Sequence, residues 1–145
     1  GVDKRVIVLE DAERLMARVP AEERLEKGRV PFGLRVICNP VLTITDAAPR
    51  TFFEGCLSVP GYSALVTRPL GVKVVGRTEL GAPVEWEVSG WPARILQHEV
   101  DHLNGTLYVD RMIPRTFGEN PEVEAHWARL PSAEVLARLD GGREP

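Results

Sequence analysis

His98-Glu99-Val100-Asp101-His102 sets two imidazoles four residues apart, with a carboxylate directly after the first. On a helix, residues four apart project from one face, so both rings can reach a single metal ion. Glu99, one position beyond a ligand, is placed to face a metal-bound water instead. A divalent ion lowers the pKa of such a water towards ~7. Glu99 can then accept the proton and later deliver it to a leaving amine. A catalytic site of this kind needs three protein ligands and one open position. Cys56, upstream beside a glycine, is one candidate for the third. Glu119, Glu122, Glu124 and His126, downstream, are others, and with one of them the helix would serve a metalloprotease. The pentapeptide alone leaves both open. It also leaves a closed structural metal site with four protein ligands, or a merely solvated charged face. Against the last stands the fact that these are two of only three histidines in the chain.

The elements that must carry these residues emerge from the local pattern. Lys4 to Glu10 reads as a strand, because three β-branched residues in a row favour a buried position. Asp11 to Gly28 is dense in both signs of charge and reads as a solvated excursion with weak helical character, Leu15 and Val19 being four apart. Leu34 to Cys38 is a second strand stopped by Asn39-Pro40, with extended structure resuming over Val41 to Thr45. Cys38 in that run reads as a small core residue. Cys56 is expected in the turn of Glu54 to Gly61. Ser63 to Thr67, Gly71 to Arg77 and Pro83 to Val88 are strand candidates, with a hairpin turn at Glu79-Leu80-Gly81. The period changes at Gly90: Ile95, Leu96 and Leu103 suit a helix over Trp91 to Leu103, closed by Asn104-Gly105. A short helix is expected at Ser132 to Leu139. The whole reads as one α+β domain over 1–145 with a single long helix.

Composition narrows the setting. A chain of 145 residues can bury one core without covalent staples. Its net charge of -3 offers no basic surface for nucleic acid or anionic membrane. The apolar runs, such as Val6 to Leu9, fall far short of the ~20 residues of a membrane span, and no signal peptide is visible at the start. Two cysteines permit one disulfide, but without a secretory signal buried, metal-binding or reactive thiols are the expectation.

Two motifs then carry a resemblance. Glu54-Gly55-Cys56-Leu57-Ser58 is similar to the E-G-C-L-S motif of peptide deformylases, and His98 to His102 to their H-E-x-D-H motif. Order and separation fit as well, and the likeness runs through Ser89-Gly90-Trp91, Asp110-Arg111-Met112 and Arg115-Thr116-Phe117, in the manner of the organelle-type subgroup also found in some bacteria. It spans roughly Gly1 to Gly118, leaving 119–145 as a polar tail. The resemblance implies small mixed or antiparallel sheets packed around one central metal-binding helix. It implies Cys56, His98 and His102 as ligands of one divalent ion, Fe2+ natively, with Zn2+, Co2+ or Ni2+ substituting. Glu99 would be general base and then acid, and the Leu57 backbone N–H would donate to the oxyanion. Gly55, Glu54, Trp91 and Arg94 would bind a substrate resembling N-formylmethionine on a nascent polypeptide, with formate as product. It further implies transient ribosome association, no direct nucleic-acid or membrane site, and a bacterial cytoplasm, mitochondrion or plastid as location.

The family's third motif, G-x-G-x-A-A-x-Q-x-G, does not occur in this sequence, and Gly1 falls where its last glycine would stand. The chain is therefore expected to be a fragment or a processed form. Without that glutamine's oxyanion-supporting amide it should be a poor enzyme alone, by about 10²–10³ in rate.

Overall fold

The computed structural model describes residues 4–17 and 19–141, so Gly1 and the motif position it was matched to lie outside the described residues. The apolar run at the start forms β1 (Val6–Asp11), followed by short helices α1 (Glu13–Met16) and α2 (Ala21–Glu26). Two long strands, β2 (Phe32–Cys56) and β3 (Val59–Arg77), come next, then β4 (Pro83–Ser89) and α3 (Trp91–Leu103). Single 3₁₀ turns at Tyr108–Asp110 and Pro114–Thr116 lead to β5 (Gly118–Glu119), α4 (Asn120–His126) and α5 (Ser132–Gly141). The expected α+β class is what is found. The strands run β1-β2-β3-β4, with β5 added on β3, and the β1–β2, β3–β4 and β3–β5 pairings are antiparallel.

Two compact units divide the chain: Gly1–Pro49 with Pro69–Gly105, and Arg50–Arg68 with Thr106–Pro145. The core of the first is built from Ile7 and Leu9 of β1, Phe32 and Ile37 of β2, Val72 and Val74 of β3, and Ala93, Leu96 and Val100 of α3. Register explains which residues enter it. Ile7 pairs with Ile37 and both are buried, whereas Val6 pairs with Cys38 and Val8 with Val36 on the opposite face. Cys38 is thus half-buried rather than a core residue, and neither cysteine is in a disulfide. The second unit has its own smaller core of Ala64, Val66 and Tyr108, with Cys56, Val59, Val109 and Met112 packed on it.

Three expectations about the elements are corrected. Asn39-Pro40 does not stop β2, because Asn39 takes a left-handed φ of 51° and the extended path continues; asparagine tolerates that region better than most residues. Ser63 to Thr67 and Gly71 to Arg77 are parts of a single strand, β3, which runs through Pro69. Among the described residues between β1 and β2 the buried one is Met16, while Leu15 points to solvent, so the Leu15–Val19 spacing is not the packed face.

The entry to α3 is set by backbone contact. Gly90 has φ 68° and ψ -137°, and a Cβ there would meet the Gly28 carbonyl oxygen at 2.6 Å. Gly28 itself has φ 56°, and its carbonyl accepts from Trp91 N–H at 3.3 Å. Pro92 sits in the first turn, where the missing N–H would have no intrahelical partner. The Lys27–Arg29 segment is held by a two-pronged Arg29–Asp11 ion pair, 2.8 Å on both prongs, with Asp11 buried at the end of β1. At the other end Gly105, φ 72°, reverses the chain, and Arg5 donates to the Leu103 carbonyl at 3.0 Å and to Asn104 Oδ1 at 3.1 Å. Gln97 donates to Pro69 O and Ala93 O, tying the helix to β3. The expected boundaries of this helix and its glycine stop agree with the structure.

Candidate metal centre

One face of α3 enters the first unit's core through Ala93, Leu96 and Val100. With that stripe buried, the 3.6-residue period turns His98 and His102 away from it and leaves Glu99 on its flank, and all three are half-buried. The His98 and His102 rings meet edge to face, centroids 4.7 Å apart at 87°. Two imidazoles that converge this closely from one helical turn can supply two ligands to one ion. Trp91 and Arg94 occupy the first turn of the same helix. Arg94 is buried and its guanidinium lies 5.8 Å from the Trp91 ring centroid, while Lys27 and Arg29 approach the same ring at 4.8 and 5.5 Å.

In the second unit, Cys56 is the last residue of β2 and not part of the turn itself, which consists of Leu57 and Ser58. Ser58 N–H donates to the Cys56 sulfur at 3.4 Å. Leu57 is 99% exposed. Gly55 is exposed and Glu54 is buried. Both Glu54 oxygens accept from Arg68: Nε at 2.6 Å and Nη2 at 2.9 Å. Tyr108 packs in the same small core as Cys56 and donates its hydroxyl to the Tyr62 carbonyl at 3.1 Å. Burial, and after it the neighbouring Cys56, raise the Tyr108 phenol above the usual tyrosine value, so the ring is a neutral donor at ordinary pH.

The downstream alternatives are differently placed. Glu119, Glu122, Glu124 and His126 are all exposed, Glu119 ending β5 and the other three on α4. His126 Nε2 lies 3.5 Å from the Glu122 carboxylate, a solvated i,i+4 pair. Sequence reasoning missed Arg68 and Tyr108. Arg68 did carry a signal: it continues the inward parity of Ala64 and Val66 on β3, where an arginine requires a buried counter-charge. The tyrosine carried none, since its partner is a main-chain carbonyl far along the chain.

Residues 1–117 match the sequence model of the polypeptide deformylase family. The chain is 52% identical over 139 residues to the chloroplastic/mitochondrial peptide deformylase 1A of Arabidopsis thaliana, covering 96% of this chain and 50% of that protein. It is 45% identical over 117 residues to the human mitochondrial peptide deformylase, covering 81% of this chain and 48% of that one. It thus spans about half the length of these curated relatives. Among solved structures, it is similar to a Met-Ala-Ser-bound class I type b peptide deformylase from Acinetobacter baumannii, at 37% identity and a TM-score of 0.62, covering 74% of this chain and 62% of that one. A plant peptide deformylase gives 32% identity and a TM-score of 0.60, over 83% and 56% of the two chains. The metalloprotease alternative gains nothing from these matches.

Proposed function

The chain belongs to the polypeptide deformylase family, and from that membership we propose that it removes the N-formyl group from N-formylmethionine at the start of nascent polypeptides. The observation that carries this reading is the edge-to-face pair of His98 and His102 on α3, within the stretch matched to the family. Cys56 is the proposed third ligand, so that the site offers one sulfur and two ring nitrogens. That donor set fits the group: a thiolate with two imidazoles is soft enough for zinc and for iron(II), and leaves one position open. We take iron(II) as the native ion. When bound, it supplies Lewis acidity and a water acidified enough to ionise near neutral pH.

The chain's own residues do the rest. Glu99, half-buried and one residue beyond His98, takes the proton from the attacking water. The oxygen of the formyl group gains negative charge as its carbon becomes tetrahedral, and the Leu57 N–H donates to it. Glu99 then passes its proton to the nitrogen as the C–N bond breaks, and formate leaves with a free amino terminus behind. The peptide binds as an added strand, main-chain hydrogen bonds giving affinity with little demand on sequence. Gly55 and Trp91 are the proposed contacts, with the buried charges of Glu54 and Arg94 supporting them. Such a substrate brings the enzyme to the ribosome transiently, in a bacterial cytoplasm or in a mitochondrion or plastid.

The test is formate release from a formyl-Met-Ala peptide, anaerobically with added iron(II), against Glu99→Ala. The variant should keep its metal and lose about 10²–10⁴ in rate, the usual worth of a positioned acid–base. Release at the same rate without the Glu99 carboxylate refutes the assignment.

A further inference from the structure

We propose that the buried Glu54–Arg68 ion pair is a positioning element for Cys56, fixing the end of β2 so that the sulfur is presented in one geometry. The inference rests on the reading of Cys56 as a metal ligand. Residues two apart on a strand share a face, so Glu54 and Cys56 project from β2 in the same direction. On the carboxyl side of Cys56 the chain turns at once: Leu57 and Ser58 form an exposed turn, and the Ser58 amide donates to the sulfur at 3.4 Å. On the amino side stands Gly55, exposed and lacking a side chain to anchor it. Glu54 is therefore the last side chain before Cys56. Its carboxylate takes both prongs of the Arg68 guanidinium, at 2.6 and 2.9 Å, and the two side chains are only 5% and 4% exposed.

The chemistry of the pair says what it is for. Taking two charges out of water is expensive, and well-packed apolar residues of similar volume would hold two strands together as well or better. A planar fork on a carboxylate has one orientation, whereas apolar contacts slide. The pair's advantage over an apolar contact is thus angular definition, and the element it defines ends two residues later in the proposed ligand. Partners that orient a metal's ligands are typically worth 10- to 100-fold in metal affinity.

The chain loaded with cobalt(II) tests this. Three variants are compared with it: Arg68→Lys, which keeps the charge without the fork; a double Glu54→Leu, Arg68→Met, which keeps the burial without the charges; and Cys56→Ser. Cobalt affinity is measured by competition with a chromophoric chelator, and the sulfur-to-cobalt charge-transfer band by absorption, each well below the variant's melting temperature. We expect the double variant to stay folded, to bind cobalt about 10- to 100-fold more weakly, and to show a weakened or shifted band, with Arg68→Lys intermediate. A double variant that binds within threefold of the parent, with an unchanged band, overturns the proposal. Cys56→Ser separates the two levels: if cobalt binding survives it, the ligand assignment itself fails, whatever the ion pair does.

Discussion

Replacing Gly90 with alanine should be among the most damaging single-methyl additions to this chain. Two independent costs meet there. The backbone angles, φ 68° and ψ -137°, lie where a side chain is strained, at about 2 kcal/mol for such an outlier. The new Cβ would also stand 2.6 Å from the Gly28 carbonyl oxygen and 3.0 Å from both Gly28 Cα and Lys27 O. All three are main-chain atoms, so relief requires moving the segment that Arg29–Asp11 pins down, an overpacking cost of about 2 kcal/mol. Together these give about 4 kcal/mol, or roughly 12 °C in melting temperature for a chain this size. Gly81→Ala supplies the control. Gly81 also has a positive φ, 83°, but nothing lies within 4 Å of a Cβ built there. It should lose only the conformational part, about 1–2 kcal/mol and roughly 5 °C. Melting curves by circular dichroism decide the matter. Equal shifts for the two variants would refute the argument from the Gly28–Gly90 contact.

Zinc at a hundred times its dissociation constant should stabilise the parent chain by about 2.7 kcal/mol in thermal or urea unfolding. Cys56→Ser should abolish that increment, whereas His126→Ala should leave it intact; the reverse pattern would restore the metalloprotease arrangement. Tyr108→Phe removes the hydroxyl that donates to the Tyr62 carbonyl at 3.1 Å. It should cost about 1 kcal/mol by urea titration, and no loss would mean that water replaces the hydroxyl without penalty.

The helix carrying the histidines is legible to its ends because its signals are local. Gly90, the apolar positions 95, 96 and 103, and Asn104-Gly105 fix start, face and stop within one stretch of chain. The strands on either side are legible as strands but not as lengths. Asn39 reads as a breaker from its type, yet it passes through a left-handed conformation and the pairing continues; Pro69 likewise lies within β3. Both cases turn on which residue a strand faces, and that is a long-range fact. The same holds for Met16, buried where the pattern points to Leu15, and for Cys38, drawn out of the core by its pairing with Val6. The two motifs single out the proposed ligands and the acid–base residue. They do not reveal that Glu54 binds Arg68, fourteen residues away, because alternation marks an inward position without naming its partner.

The contacts that close the first unit join its two ends, with Arg5 bonded to Leu103 and Asn104 across 98 and 99 positions. On a chain growing at about 5–20 residues per second, β1 is therefore made roughly 5–20 s before the helix that covers it. During that interval Ile7 and Leu9 have no α3 to pack against, although both are 4% exposed or less in the finished fold. The nearby β3–β4 hairpin, closed by a short turn, can form in microseconds and wait. Synthesis thus leaves the sheet unfinished over that interval, and the yield of folded protein should depend on how fast the stretch between β1 and α3 is translated.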